Sequence, residues 1–189
     1  MVEKVTMQAV RITELHAGAG TDVQATVADL VNSVYAVAED GMWMSGTTRT
    51  SSSEVDGMIR AGEMVAAWLG DTLVGCIRVV RLDAATAEFG MLAAAPRFRG
   101  HGIGRRLIGF AEQRCAAAGC DVMQLEIIRP RDTELPSKRL LARWYTALGY
   151  RPVHTGPVDA AHPELVAMLA VPCEVDTYRR DLRLDEDGV

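Results

Sequence analysis

The chain has 189 residues, 49% hydrophobic and 24% charged, with a net charge of −5. That length and balance suit one soluble globular domain with a sizeable core, and the acidic surplus argues against a general affinity for nucleic acid or anionic membrane. No apolar run approaches the roughly 18 residues of a membrane span, and the opening residues MVEKVTMQAVRI lack the apolar core of a secretory signal, so the expected compartment is the cytoplasm.

The first strand is expected over residues 7–15. A helix follows from Thr21, where Val27, Leu30, Val31, Val34 and Ala38 recur at three- and four-residue steps, with Thr21 or Asp22 as its cap. After the loop GMWMSGTTRT, Ser51 and Glu54 have the spacing of a capping box that opens a short helix. Strands are expected at 64–70 and 73–82, joined by a tight Gly70-Asp71 hairpin, and a fourth at 87–94. The next helix shows Ile103, Leu107, Ala111 and Cys115 at steps of four and stops at Gly119.

In DVMQLEII (121–128), Met123, Leu125 and Ile127 alternate inward against Gln124 and Glu126 outward, as in a strand. A helix over 137–148 presents Leu140, Leu141, Trp144 and Leu148 as its core stripe, with Gly149 ending it. A short strand near YRPVHT, a helical turn in DAAHPELVAML and a last strand over 173–182 complete an α/β (α+β) domain with a mostly antiparallel mixed sheet of about seven strands. The expected domain spans 1–182, and 183–189 form a disordered acidic tail. Cys76, Cys115, Cys120 and Cys173 have no metal or disulfide spacing and read as buried thiols, and the four histidines form no ligand set, so no metal is expected.

The chemistry gathers in EFGMLAAAPRFRGHGIGRRLIGFAE. A strand, a glycine-rich turn and a helix start make a phosphate cradle: free N–H groups and the helix dipole favour an anion, and glycines let it approach the backbone. The P-loop pattern fails because no Gly-Lys-Ser/Thr follows, and the dinucleotide pattern fails at Arg105 and Leu107. The plain alternative is a strand–helix turn with surface arginines. What fits is Arg97-Phe98-Arg99-Gly100-His101-Gly102-Ile103-Gly104.

That motif, after E-F-G-M-L-A-A-x-P, resembles the acyl-CoA-binding motif of the GCN5-related N-acetyltransferase (GNAT) superfamily. LLARWYTALGYRPV (140–153) is similar to the superfamily's later helix-plus-strand segment. The resemblance implies a single-domain acyl-CoA N-acyltransferase fold that moves the acetyl group of acetyl-CoA, its cosubstrate, to a primary amine by direct transfer in a ternary complex. The amine-bearing acceptor is unidentified, a homodimer is possible, and the alternative is a non-catalytic acyl-CoA sensor.

It further implies that acetyl-CoA lies along Leu92, Ala93 and Ala94. The cradle would come from Arg97, Arg99, Gly100, His101, Gly102, Ile103, Gly104 and Arg105, with His101 a spacer. Tyr145 matches the tyrosine that protonates the CoA sulfur, against a packing role. Glu88 matches the glutamate that some members use as base, against an ordinary strand residue. Where an asparagine is common, this chain has Lys138 after Ser137, and either could substitute. Acceptor selectivity is expected from 41–53 and 156–169, with Met42, Trp43 and Met44 as apolar wall and Glu126 as a reserve carboxylate.

Overall fold

The computed structural model describes residues 9–183. Its strands are β1 (Arg11–Glu14), β2 (Met64–Leu69), β3 (Thr72–Arg81), β4 (Thr86–Ala94), β5 (Val122–Pro130), β6 (Arg151–Pro157) and β7 (Cys173–Asp181). The helices are α1 (Thr21–Ala38), α2 (Ser52–Arg60), α3 (Ile103–Ala117), α4 (Pro136–Ala147) and the single turn α5 (Val158–Ala161). One sheet takes all seven strands in the order β1-β2-β3-β4-β5-β7-β6. Only β4 and β5 run parallel, because α3 crosses over between them. Every other neighbouring pair is antiparallel.

Helices cover both faces, so the central strands are buried on both sides. Along β2, Met64 and Ala66 join the core under α1 and α2, while Val65 and Ala67 join the core under α3 and α4. A smaller cluster around Met42, Ile128, Val158 and Cys173 fills the far end. All four cysteines are buried. Among the described residues no helix is long and apolar enough to cross a membrane.

The Ser51–Glu54 capping box forms as expected, with side chain and backbone reciprocally bonded. Three local expectations are corrected. The α1 cap is Gly20, with no side-chain hydrogen bond, and Thr21 is already helical. In the α4 stripe Leu141, Trp144 and Leu148 pack on the core, but Leu140 is 65% exposed and the buried polar position is Lys138. Gln124 and Glu126 do not face bulk solvent, since the α1 side of β5 is roofed; Gln124 is buried and Glu126 half-buried. The expected start of the first strand, 7–8, and the tail beyond Arg183 lie outside the described residues.

Candidate active site

β4 holds the centre of the molecule because it changes company half-way along. Thr86 to Phe89 pair in parallel with Val122 to Leu125, and among the described residues that ladder goes no further. On its other edge, Gly90 lies opposite Arg78 and Ala93 opposite Cys76, so β4 advances three residues while β3 advances two. The extra residue makes a β-bulge, which bends the strand that carries it. Met91 within it sits at φ +48°, a left-handed conformation that costs a side-chain-bearing residue roughly 1–3 kcal/mol. The unpaired stretches of β4 and β5 border a cavity of about 400 Å³.

β4 ends in a 3₁₀ turn, Pro96–Phe98, followed by the glycines. Gly100 and Gly102 adopt φ +88° and +69°, and a Cβ on either would point into open space. They are needed for their backbone angles, and the space beside them stays clear. Gly104 differs, because a Cβ there would stand 3.0 Å from Cη2 of Trp144, so this glycine lets α3 and α4 pack closely. Intrahelical bonding in α3 begins with the Arg106 N–H to Gly102, leaving the N–H groups of Ile103, Gly104 and Arg105 without helical acceptors. The Ile103 side chain is buried in the core, so this residue offers the loop only its backbone.

The arginines divide. Arg99 lines the cavity and, among the described residues, has no carboxylate partner. Arg97 lies over the Phe98 ring at 4.9 Å, and Arg105 is exposed. Arg106 instead donates to the Val10 carbonyl at 3.1 Å. His101 is exposed and its Nδ1 lies 3.0 Å from the Phe98 carbonyl, which braces the turn.

At the other end of the cavity stands Glu88. Gln124 Nε2 donates to Glu88 Oε2 at 2.7 Å, and Arg179 Nε donates to Gln124 Oε1 at 2.8 Å. The three side chains sit on one cross-strand row of β4, β5 and β7. Arg179 thereby fixes the Gln124 amide with its NH₂ toward Glu88, and Glu88 Oε1 keeps no protein partner among the described residues. Burial pushes the Glu88 carboxyl above its ordinary value, opposed by the Gln124 bond and reinforced by the nearby Glu126. Glu126 also lines the cavity, with His162 Nε2 2.6 Å from its Oε2.

Tyr145 reaches the same cavity from α4. Its ring packs 5.1 Å from Trp144, 5.8 Å from Phe89 and 6.1 Å from Tyr150, yet among the described residues nothing hydrogen-bonds its hydroxyl. Burial pushes this phenol well above the usual tyrosine range, and Tyr35 across the cavity adds to the effect. One compartment therefore holds a carboxylate of raised basicity and an unpartnered phenol, and it runs on to Arg99 beside a glycine-lined helix start.

A sequence model of the Acetyltransferase (GNAT) family matches residues 36–149, from the end of α1 through α4. The chain belongs to the GNAT acetyltransferase family. The fold is similar to that of an aminoglycoside 6′-N-acetyltransferase complexed with coenzyme A, at a TM-score of 0.67 and 18% identity over 91% of this chain and 97% of that one. It is also similar to a GNAT acetyltransferase from Elizabethkingia anophelis with acetyl-CoA bound, at 0.63 and 16%, over 91% and 97% of the two chains. The aminoglycoside 6′-N-acetyltransferase from Enterococcus faecium gives 0.64 and 20%, over the same shares. No curated protein matches the sequence.

Within this GNAT domain, Ser137 and Lys138 border the cavity, but their polar atoms are committed to α1. Ser137 Oγ donates to the Ala38 carbonyl and Lys138 Nζ to Glu39 Oε1, each at 2.5 Å. Burial pulls the Lys138 ammonium below the ordinary lysine value, and Glu39 opposes that pull. Glu39, 3% exposed, also accepts from Trp43 Nε1 at 2.6 Å. Met42 is fully buried, Met44 is 54% exposed, and none of Met42, Trp43 and Met44 borders the cavity. Trp43 acts from behind, stacking at 4.6 Å on Arg49, which does border it. Leu92 lines the cavity, Ala94 is half-buried and Ala93 turns into the core under α1 and α2. Sequence reasoning missed Tyr35 and Gln124, and read His162 as a residue that could attract an amine or belong to a solvated loop. The strand alternation placed Gln124 beside Glu88's face and was the one signal that pointed to it.

Proposed function

We propose that this GNAT domain catalyses acetyl transfer from acetyl-CoA to a primary amine by direct attack in a ternary complex. The observation that carries the reading is the single cavity shared by Glu88 and the free Tyr145 hydroxyl, open where β4 leaves β5 and bordered by Arg99. Acetyl-CoA fits what is there. An extended pantetheine arm can pair with the unpaired edge of β4 around Leu92 to Ala94. Its pyrophosphate suits the N–H groups at the start of α3, with Gly100 and Gly102 clear of side chains and Arg99 and Arg105 adding charge. Ser137, through its hydroxyl lone pairs, borders the same groove.

An alkyl ammonium, with a pKa of about 10, is about one part in a thousand deprotonated at neutral pH, so the acceptor needs a base. Glu88 supplies it through its free Oε1, directly or through a water, and its raised pKa brings it nearer the working pH. The amine nitrogen bonds to the acetyl carbon, the carbon–sulfur bond breaks, and the electron pair leaves on sulfur. Tyr145 faces that sulfur. Its phenol is a weaker acid than a CoA thiol of pKa roughly 8.5, so complete proton transfer to the thiolate runs uphill. A hydrogen bond from the neutral phenol to the developing thiolate is the contribution its environment favours.

The test is free thiol release from acetyl-CoA with an amine panel, with acetylated product confirmed by mass. Turnover that falls in Glu88→Gln and Tyr145→Phe supports the reading. Tight acetyl-CoA binding with no turnover on any amine would favour the sensor instead.

A further inference from the structure

We infer that the acceptor is a compact apolar primary amine without a carboxylate or phosphate of its own, in the class of arylalkylamines and alkylamines. This rests on the acetyl transfer proposed above.

The first argument is charge. The cavity is bordered by four arginine and lysine side chains, and three are already engaged. Arg78 is bound to Glu63 at 2.7 Å, Lys138 to Glu39, and Arg49 stands 3.7 Å from Glu39 between the rings of Tyr35 and Trp43. The fourth, Arg99, follows the far end of β4. In the reading proposed above, Arg99 is taken by the pyrophosphate of acetyl-CoA. A carboxylate carried by the acceptor would therefore meet Glu88 and Glu126 with no free cation beside it. An amino-acid or phosphorylated acceptor is disfavoured on that ground.

The second argument is the wall. Val34 and Tyr35 of α1, Leu140 and Leu141 of α4, and Leu165 after α5 border the same cavity. Leu140 is 65% exposed and adds its apolar surface to the rim of that wall. A polyhydroxylated or multiply charged amine finds few partners on this surface. Glu88 and Glu126 each have one oxygen engaged, by Gln124 and His162, which leaves one oxygen apiece for a single ammonium and no row of acceptors for several.

The third argument is size. About 400 Å³ must hold the acetyl end of the cosubstrate and the acceptor together. That is near the small end of ligand pockets, and leaves room for one ring or a short chain.

The experiment uses the full chain with saturating acetyl-CoA and reads kcat/KM by thiol release. The amines are methylamine, butylamine, hexylamine, 2-phenylethylamine, phenylalanine and kanamycin. Values are expected to rise by up to about fourfold per methylene from methylamine to hexylamine. Phenylalanine and kanamycin should each fall at least about 30-fold below 2-phenylethylamine. Leu140→Asp, a substitution at an exposed site, should flatten the chain-length series. Phenylalanine or kanamycin matching 2-phenylethylamine, or a flat chain-length series in the wild type, overturns the acceptor class and leaves acetyl transfer standing. No thiol release from any of the six overturns both.

Discussion

Replacing Tyr145 by phenylalanine removes one oxygen atom from a buried ring and nothing else. The ring's contacts with Phe89, Trp144 and Tyr150 survive. Because no protein group among the described residues bonds the hydroxyl, its loss breaks no hydrogen bond in the resting chain. Stability is therefore expected to hold, since the hydroxyl opens on the cavity and leaves no buried partner unpaired. Catalysis should respond differently. A hydrogen bond to a charged partner is worth about 1.5–3 kcal/mol, which for a thiolate formed only during reaction is a loss of about 10- to 150-fold in kcat. The KM for acetyl-CoA should stay within about twofold, because the uncharged thioester gains little from the bond. Thiol-release kinetics and a melting curve on the same preparation read both quantities. A melting point several degrees lower would mean that the hydroxyl has a structural partner. An unchanged kcat would remove Tyr145 from the chemistry.

Glu88→Gln should cut kcat/KM about 10²-fold or more and abolish an acidic limb in its pH profile. In the wild type that limb should lie above the ordinary carboxyl value of 4.5, because the folded-state pKa is raised. The folded chain thus holds this proton more tightly than the unfolded one. That contribution to stability is complete below pH 4.5 and is lost as pH rises through the raised value, so Glu88→Gln should melt no lower than wild type at pH 7. Gly75→Ala should lower stability by about 1–3 kcal/mol, read by urea denaturation, because its Cβ would stand 2.7 Å from Ile103 Cγ2 and 3.1 Å from the Ala93 carbonyl. Lys138→Met leaves Glu39 buried without its ammonium and should cost about 3 kcal/mol, the low end of such losses because Trp43 and Arg49 remain. Adding Glu39→Gln to that variant should recover part of the loss, and an additive double variant would contradict the pairing.

Much of the fold was legible because local chemistry and packing agreed. The capping box, the Gly70 hairpin and the Gly119 stop each specify their turn without help from the rest of the chain. The glycine loop was legible for Gly100 and Gly102, whose positive φ angles demand glycine. Gly104 carries the same letter for another reason, the approach of Trp144, and only the packed pair of helices reveals it. Polar residues misled more than apolar ones did. Lys138 looks like a surface or ligand-facing side chain until Glu39, ninety-nine positions earlier, closes on it. Gln124 and Glu126 alternate as solvent-facing residues would, yet Glu88 and Arg179 close on the first and His162 on the second. Leu140 reads as core at helical spacing, but it stands at the edge of the stripe that Leu141, Trp144 and Leu148 form and is left exposed at the cavity rim. The bulge at Met91 has no sequence signal, since nothing about methionine favours φ +48°. Tyr35 reaches the cavity only through tertiary contact, which is why spacing did not reveal it.

Every step of the proposed transfer depends on the groove between β4 and β5 binding acetyl-CoA. The direct test is the melting temperature of the full chain with acetyl-CoA, CoA, ATP or NAD added separately. A ligand specific for the folded state at 100 times its Kd adds about 2.7 kcal/mol, a rise of about 5–10 °C for a domain of this size. A shift of that order with acetyl-CoA and CoA, and little with ATP or NAD, is the predicted result. No shift with either CoA form, or an equal shift with ATP, would contradict it.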